Sequence, residues 1–349
     1  MKVLASLPSL SMRRRVIFVI LAIGLFLVSL SILRHRERQF ISPVTINSQS
    51  AQKIQTDAVA PPVSGNFVTG PGDYEYTVML GSVERPYLIH VPASYDKKQA
   101  LPLVLFFHGG GGNMNHSARS YGWKEKSDAE GFIVAFTNGD SRLPKDKFAT
   151  WNAGNCCGYA RDNKIDDVGY TKAVLQDIES KFTIDTKRIF ATGMSNGGIM
   201  SYRLACEMAD TFRAIASVAG TDGMSMCNPA RPISVLHIHA KNDDHVLFEG
   251  GTGAEAFRDL DKVAEFTSVA DTIALWVKRD HMNPVPKRVE VSGAYCDLYT
   301  SVENQAQVKL CVTETGGHSW PGSRAVRGKS PSHAIIANDV IWDFFKNQK

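Results

Sequence analysis

The sequence of 349 residues predicts an α/β protein with a mostly parallel central sheet and helices on both faces of that sheet. Strand-like and helix-like segments alternate along the chain, as they do in successive βαβ units. Two of the strand-like segments, Leu103–Phe107 and Phe132–Phe136, are unbroken apolar runs, which are typical of strands buried on both faces. Apolar residues make up 44% of the chain and charged residues 21%, which excludes a disordered, collagen-like or coiled-coil protein.

Each predicted strand rests on alternation of apolar and polar residues or on an apolar run. The predicted strands are Tyr87–Val91, Leu103–Phe107, Phe132–Phe136, Arg188–Thr192, Phe212–Val218, Ile233–His239, Val289–Thr300 and Val308–Thr313. Apolar residues three and four positions apart predict the helices, and Asp166–Phe182 also has acidic residues in its first turn and Lys181 in its last. The other predicted helices are Asn196–Met208, Ser268–Lys278 and a last one that carries Ile336, Val340, Ile341 and Phe344.

Residues 1–38 have the composition of a membrane-targeting segment. Residues 16–33 form an apolar run whose only polar members are Ser29 and Ser31, and arginines flank the run on both sides. A helix of this length would span about 27 Å, close to the hydrocarbon thickness of a bilayer. The run is either an uncleaved anchor or a signal peptide cut near Ser29–Ser31, and both place the rest of the chain outside the cytoplasm. Residues 39–65 are predicted to be a flexible spacer and residues 66–349 one folded domain.

The positive charge of the chain is confined to its beginning. Residues 1–60 contain 8 basic and 2 acidic residues, whereas the rest of the chain contains 31 basic and 33 acidic residues. The folded part therefore has no excess of basic side chains with which to bind phosphates. The sequence predicts no nucleic-acid partner, and it predicts contact with a membrane only through residues 16–33, if that run is not cleaved.

Six cysteines in an exported chain predict disulfide bonds, because an oxidising compartment preserves them. Cys296 and Cys311 flank two strand-like runs, and a two-residue turn at Glu303-Asn304 would place them directly opposite each other. The pairing of the other four stays open: Cys156, Cys157, Cys206 and Cys227. No CxxC spacing is present, so neither a redox motif nor a zinc knuckle is supported.

A candidate nucleophile lies in Gly193-Met194-Ser195-Asn196-Gly197, between a predicted strand and the helix that follows. A serine at such a sharp turn has a strained backbone, so the residues two positions away must be very small, and both are glycine. The start of the helix would also direct backbone N–H groups towards a developing oxyanion. The alternative is a glycine-rich turn whose serine only caps the helix.

A glycine-rich loop, His108–Asn113, follows the most apolar predicted strand. Glycines allow a loop backbone to come close enough to a tetrahedral intermediate to donate N–H groups to its oxygen. We expect one donor to be the amide of Asn196 and the other to come from Gly109 or Gly110. A phosphate-binding loop is the alternative, but no Gly-Lys-Ser/Thr sequence follows.

A nucleophilic serine in this setting requires an acid and then a histidine later in the chain. His318 lies in a glycine-flanked loop, Thr315–Gly322, just after the predicted strand Val308–Thr313. The acid is expected in the loop that follows Ile233–His239, where Asp243 is the first choice and Asp244 the second.

The histidines around the acid admit a second interpretation, as metal ligands. His237 and His239 share one face of a predicted strand, and Asp243-Asp244-His245 follows. The H-x-H-x-D-H spacing of metal-dependent hydrolases fails here by three inserted residues. We therefore expect histidines that stabilise the core or the loop, and no metal.

Three aromatic residues near these motifs are candidate walls of a substrate cleft, although packing explains each of them equally well: Trp151, Phe248 and Trp320. Their flat apolar faces would suit a ring or a methyl-bearing chain. Asp166-Asp167, at the start of a predicted helix, is interpreted as a helix cap.

Several short motifs follow one another over about residues 75–345. They are Gly81-x3-Arg85-x-Tyr87, Val91-Pro92, His108–Gly111, Trp151–Gly154, Cys156–Gly158, Asp166–Val168, Gly193–Gly198 and Gly317–Gly322. With them the chain resembles the esterases related to feruloyl and acetylxylan esterases (carbohydrate esterase family 1) and to poly(3-hydroxybutyrate) depolymerases. The resemblance implies an α/β-hydrolase fold for the catalytic domain, 66–349, and a secreted serine esterase without a cofactor. It also implies that Ser195 is the nucleophile, Asp243 the acid and His318 the base.

The chain departs from the family pattern near the acid. Ala240 replaces the glycine of His-Gly-x-x-Asp, Val246-Leu247-Phe248 stands for Val-Pro-Tyr, and His281-Met282-Asn283 stands near the usual Asn-Gly-Cys. The expected function is hydrolysis, outside the cytoplasm, of short-chain or aromatic-acid esters or of polyester oligomers. The alternatives are a poly(3-hydroxybutyrate) depolymerase proper, an exopeptidase of the same fold, and a catalytically silent surface binding protein on a hydrolase scaffold.

Overall fold

A computed structural model describes residues 70–256, 265–324 and 330–348, and a ten-stranded sheet runs through its centre. The strands are β1 (Gly72–Leu80), β2 (Val83–Val91), β3 (Leu101–Phe107), β4 (Ile133–Thr137), β5 (Ile184–Met194), β6 (Ala214–Val218), β7 (Ser234–Ala240), β8 (Lys287–Val291), β9 (Ala294–Thr300) and β10 (Gln307–Thr313). Their order in the sheet is β1-β2-β4-β3-β5-β6-β7-β10-β9-β8.

The sheet is mostly parallel, as predicted. Six neighbouring strands at the centre of the sheet pair in parallel, in the order β4, β3, β5, β6, β7 and β10. Strands β2 and β9 run in the opposite direction to the other eight, and each is paired with an outermost strand, β1 or β8. The loops that leave the carboxyl ends of the central strands therefore meet along one edge, which is where sheets of this kind form their sites.

Helices cover both faces of the sheet, which confirms the predicted α/β class. They are α1 (Met114–Ser120), α2 (Trp123–Glu130), α3 (Gly158–Asp162), α4 (Asp167–Lys181), α5 (Asn196–Glu207), α6 (Val269–Arg279) and α7 (Ala337–Lys346), with a 3-10 turn at Pro144–Asp146. Helices α4, α5 and α6 contribute to one buried apolar cluster, and α1, α2 and α7 contribute to the other.

Strand β3 shows how one apolar run serves both clusters. Leu103, Leu105 and Phe107 belong to the cluster on one face, whereas Val104 and Phe106 belong to the cluster on the other. All five side chains are fully buried. Successive side chains of a strand point to opposite faces, so only an unbroken apolar run can fill both sides.

The structure corrects the predicted elements at three places. Val289–Thr300 is not one strand, because it turns at Gly293, a residue with φ of 78°, and forms β8 and β9. Strand β1 was not predicted, although Gly72–Leu80 alternates partly buried and exposed residues. The three short helices α1, α2 and α3 were also missed, since they have only seven, eight and five residues and many polar ones.

The six cysteines lie together as three pairs: Cys156 with Cys157, Cys206 with Cys227, and Cys296 with Cys311. Cys296 and Cys311 are direct partners across β9 and β10, in the predicted register. The connection between these strands is longer than the predicted turn at Glu303-Asn304, because it extends from residue 301 to residue 306.

Within residues 70–256, 265–324 and 330–348, no helix combines the length and the apolar character that a bilayer crossing requires. The apolar run 16–33 and the spacer 39–65 lie outside the described residues, so both interpretations stay predictions.

Candidate active site

Ser195 occupies a sharp turn between β5 and α5. It has φ of 55° and ψ of −122°, a conformation that costs a residue other than glycine about 1–3 kcal/mol. A Cβ atom at Gly193 would lie 2.5 Å from the carbonyl oxygen of Phe107, and one at Gly197 would lie 2.1 Å from it. Both neighbours must therefore be glycine for the turn to pack against β3.

Ser195 does not serve as a conventional helix cap. Its side chain makes no capping hydrogen bond, which removes the interpretation of a turn with a capping serine. The backbone is held instead, since Ser195 N donates to the carbonyl of Val218 at 2.8 Å and its own carbonyl accepts from Ile199 N at 2.9 Å. The half-buried hydroxyl is therefore available at the start of α5.

Asp243 and His318 form a hydrogen-bonded pair in the loops after β7 and β10. His318 Nδ1 lies 2.8 Å from Asp243 Oδ2 and 3.1 Å from Oδ1. The Asp243 Oδ1 atom also accepts backbone N–H groups from His245 at 2.8 Å and Val246 at 2.9 Å. Burial raises the pKa of the Asp243 carboxyl, but the N–H groups of His239 and His318 outweigh burial and hold the pKa well below its ordinary value.

The three predicted residues lie along one edge of the sheet, because β5, β7 and β10 run in the same direction. Two residues after His318, the Trp320 indole packs on Phe106 of β3, with ring centroids 5.5 Å apart. The loop after β10 therefore crosses the strand ends towards β3, the neighbour of the strand that carries Ser195. Among the described residues, the ring of His318 is hydrogen-bonded to Asp243 and not to Ser195. Hydrogen bonds between a catalytic base and its nucleophile are often long in the absence of substrate.

The glycine-rich loop lies against the serine turn. A Cβ atom at Gly109 would be 3.5 Å from Ser195 Cβ. The amide of Gly111 donates to Ala149 and that of Gly112 donates to Gly109. In the described part of the chain this leaves the amides of Gly109 and Gly110 without a hydrogen bond. The sequence predicted one of these two as an oxyanion donor, together with the amide of Asn196.

His108 and Asn196 hold this loop in place through buried hydrogen bonds. The Gly139 amide donates to His108 Nε2 at 2.9 Å, so His108 Nδ1 carries the proton and donates to the Gly109 carbonyl at 2.8 Å. Burial lowers the pKa of His108 to about 4, which keeps the ring uncharged. The Asn196 side chain accepts from Trp151 N at 2.7 Å and donates to the Trp151 carbonyl at 3.1 Å.

Two of the three predicted cleft walls are wrong, because their side chains are core residues. Trp151 is fully buried and donates its indole N–H to the His108 carbonyl at 2.9 Å. Trp320 is 2% exposed and donates to Asn338 at 2.7 Å. Phe248 is half-buried and lines a cavity of about 590 Å³ between α6 and β9–β10. None of the proposed catalytic residues lines that cavity, so substrate contact by Phe248 stays a prediction.

The expectation that His237 and His239 stabilise the core agrees with their contacts. The two rings stack with centroids 5.2 Å apart, and every ring nitrogen has a hydrogen-bond partner within the protein. None is left for a metal ion. A different group, Asp243, His245 and His318, has potential ligand atoms within 4.8 Å of one another, but Asp243 and His318 are already bonded to each other.

Sequence reasoning missed two features next to the predicted site. His245 stacks on His318, with Asp244 Oδ1 2.7 Å from its Nδ1, and the adjacency of Asp244 and His245 in sequence could have indicated this pair.

Asp166 caps α4 as predicted, by accepting from Gly169 N at 2.8 Å. Asp167 has a different role, since it is buried in an ion pair with Arg85 at 2.7 Å.

Comparison with known proteins gives a family for this chain. Residues 82–320 match the family model described as "Putative esterase". Feruloyl esterase B of Piromyces equi is 30% identical over 241 residues, which cover 67% of this chain and 42% of that protein. Feruloyl esterase C of Emericella nidulans is 28% identical over 268 residues, which cover 75% of this chain and 83% of that protein. The chain thus spans less than half the length of the first relative.

A solved structure gives the fold. Acetyl xylan esterase from Aspergillus awamori superposes with a TM-score of 0.51 over 75% of this chain and 93% of that one. At 14% identity this likeness concerns the fold alone.

Proposed function

Because the chain belongs to this esterase family and has the α/β-hydrolase fold, we propose that it is a serine carboxylic-ester hydrolase that works through an acyl-enzyme. One observation carries the proposal: a buried carboxylate, Asp243, fixes the ring of His318 through Nδ1, at the sheet edge where the strained turn presents Ser195. A serine, a histidine and an acid in these positions are the groups that nucleophilic acyl transfer requires.

In the first half of the reaction, Ser195 Oγ attacks the ester carbonyl while His318 Nε2 accepts the hydroxyl proton. Asp243 keeps the other proton on Nδ1 and stabilises the imidazolium that forms. The negative charge on the carbonyl oxygen is met by the amides of Asn196 and of Gly109 or Gly110, which act in a site of low dielectric constant. His318 then gives its proton to the leaving alcohol, and the acyl group stays on Ser195.

The second half repeats the steps with water. His318 Nε2 accepts a proton from the water molecule, whose oxygen attacks the acyl-enzyme carbonyl. The same amides stabilise the second oxyanion. Collapse of this intermediate releases the carboxylic acid and returns the proton to Ser195, so the enzyme ends in its starting protonation state.

The substrate class proposed is short-chain or aromatic-acid esters. Support comes from relatives described as feruloyl esterases. We also propose that the domain works outside the cytoplasm, on the basis of the apolar run 16–33 and the six cysteines.

Two measurements test the proposed function. The purified protein should hydrolyse a small chromogenic ester. An organophosphonate that reacts with activated serines should attach one phosphonyl group to the peptide that contains Ser195, as measured by mass spectrometry. No hydrolysis and no labelling would favour a silent binding protein on a hydrolase scaffold. Labelling of another serine would show that the nucleophile has been assigned wrongly.

A further inference from the structure

A chain of hydrogen bonds through three buried side chains ends at the Val246 carbonyl, beside the carboxylate of Asp243. Tyr202 Oη on α5 lies 2.8 Å from His237 Nδ1, and His237 Nε2 lies 3.0 Å from His239 Nδ1. At the far end, His239 Nε2 lies 2.8 Å from the carbonyl oxygen of Val246 and 3.3 Å from Asp243 Oδ2. Tyr202, His237 and His239 are at most 1% exposed.

If both histidine rings are uncharged, the last acceptors fix the direction of every hydrogen bond in this chain. The Val246 carbonyl and the Asp243 carboxylate can only accept, so His239 Nε2 must carry a proton. With both rings uncharged, His239 Nδ1 then accepts from His237 Nε2, and His237 Nδ1 accepts from the hydroxyl of Tyr202. All the donors therefore point from the core towards Asp243.

Burial favours the uncharged forms of His237 and Tyr202. It lowers the pKa of His237 well below its ordinary value and raises the pKa of Tyr202 well above its own, so the ring stays neutral and the hydroxyl keeps its proton. Polar groups at this depth are costly unless each one is hydrogen-bonded, and this chain satisfies all of them.

The chain of hydrogen bonds restrains both oxygen atoms of the Asp243 carboxylate. His239 contacts Asp243 Oδ2 directly, and it also fixes the carbonyl of Val246, whose own N–H donates to Oδ1 at 2.9 Å. Without His239, the one side chain among the described residues left on Oδ2 would be His318, the ring that Asp243 has to orient.

We propose that Tyr202, His237 and His239 are positioning residues for the reaction, which fix Asp243 so that it keeps His318 in the tautomer with the proton on Nδ1. This inference rests on the proposed function. None of the three touches the reacting atoms, and they act only through Asp243.

Two substitutions at one position separate this role from simple packing. In His239→Gln the amide nitrogen reaches the place of Nε2 and can still donate towards Val246 and Asp243. In His239→Asn the side chain ends near the place of Nδ1, so it keeps its contact with His237 and loses Asp243. A third variant, Tyr202→Phe, keeps the ring and removes the hydroxyl at the far end of the chain, which frees His237 to take its other tautomer.

We expect His239→Asn to lower kcat about 10- to 100-fold, as loss of a group that orients a reacting residue generally does, with KM within about twofold of wild type. His239→Gln should keep at least about a third of the wild-type kcat. Tyr202→Phe should lower kcat several-fold although Tyr202 is connected to Asp243 only through His237 and His239. Thermal unfolding of each variant shows how far stability alone has changed.

A second readout does not depend on turnover. The ring nitrogen NMR shifts of His318, measured where the ring is neutral, should report the Nδ1–H tautomer in wild type and His239→Gln, and a mixture of tautomers in His239→Asn and Tyr202→Phe. Equal losses of kcat in His239→Gln and His239→Asn, or an unchanged tautomer in His239→Asn, would overturn the positioning role. If the wild type hydrolyses no ester but the tautomers change as expected, the proposed function fails and the positioning of His318 by this chain stands.

Discussion

The ring of His245 lies parallel to the ring of His318, with centroids 4.4 Å apart and planes 12° from parallel. Adjacent aspartates hold the two rings, because Asp243 pairs with His318 and Asp244 pairs with His245. Burial, and then the proximity of His318, lower the pKa of His245, so an uncharged ring packs against the proposed base at neutral pH. The two aspartates therefore have different relationships to the proposed chemistry although they are neighbours in sequence.

Replacing the nucleophile should remove the activity and leave the fold intact. Ser195→Ala deletes a half-buried hydroxyl that makes no capping bond, so thermal unfolding should hardly change. Loss of the nucleophile in such enzymes lowers turnover about 10⁶-fold. Ser225→Ala, at an exposed position, is the matched control and should keep full activity on a chromogenic ester. A Ser195→Ala enzyme with a tenth of the wild-type rate would show that another group attacks the ester.

The adjacent aspartates should differ in their effect on turnover. Asp243→Asn cannot hold the proton on His318 Nδ1 as the carboxylate does, and it should lower kcat about 10⁴-fold. Asp244→Asn changes the partner of His245 and leaves the bond to His318 in place, so its effect should be much smaller. Steady-state kinetics of the two variants provide the comparison. The reverse ranking would assign the acid to Asp244.

The buried carboxyl of Asp280 should make stability depend on pH. Burial raises its pKa to about 7, and within the described residues its Oδ2 atom has no hydrogen-bond partner. The native state therefore holds a proton that the unfolded chain releases near pH 4, so this stabilisation is complete below about pH 4 and is lost as the pH rises to about 7. Asp280→Asn should raise the unfolding temperature more at pH 8 than at pH 5.

Asp96→Asn, at an exposed position, provides the control for that measurement. Its unfolding temperature should follow that of the wild type across the same pH series. If the difference between Asp280→Asn and wild type were constant from pH 5 to pH 8, the Asp280 carboxyl would not titrate in this range.

The cysteine pairs should be disulfides in protein taken from its native compartment. A non-reducing peptide map should contain a linked peptide that joins Cys296 and Cys311, whose sequence separation is 15 residues. Closing a loop of about this size stabilises a protein by roughly 3 kcal/mol in the chain-entropy account, so reduction should lower the unfolding temperature. A map with six free thiols would contradict the proposed location outside the cytoplasm.

Short acyl and aromatic-acid esters should be better substrates than long-chain lipid esters. The sequence contains no long apolar lid segment apart from residues 16–33, which are predicted to target the chain to a membrane. We expect kcat/KM for acetyl or feruloyl esters to exceed that for a C16 ester at least about tenfold, or about 1.4 kcal/mol of transition-state binding. An equal or larger value for the C16 ester would indicate a lipase.

The sequence predicts this fold well where local and tertiary preferences agree. The run Leu103–Phe107 is apolar at every position because β3 is buried on both faces. This strand could therefore be predicted without knowledge of the elements that pack against it. Gly193 and Gly197 are required by the turn itself, which is why Ser195 could be located from five residues. The hairpin at Gly293 was missed because both of its strands have β-like composition and only one glycine marks the turn.

Burial of single aromatic side chains could not be predicted in the same way. Trp320 lies two residues after His318, and Trp151 follows the predicted strand Phe132–Phe136, which suggested a cleft. Their indole N–H groups find partners in His108 and Asn338, residues that lie far away along the chain, and no local pattern contains that information. The buried ion pair of Arg85 and Asp167 was missed for the same reason.

The residues proposed for catalysis come from the ends of β5, β7 and β10, so no contiguous fragment of a few elements contains all of them. Their mutual alignment requires the parallel strands between them to be paired in register. Recovery of ester turnover during refolding should therefore report completion of the central sheet. Far-ultraviolet circular dichroism, which detects helices and hairpins that form locally, should recover earlier in the same experiment.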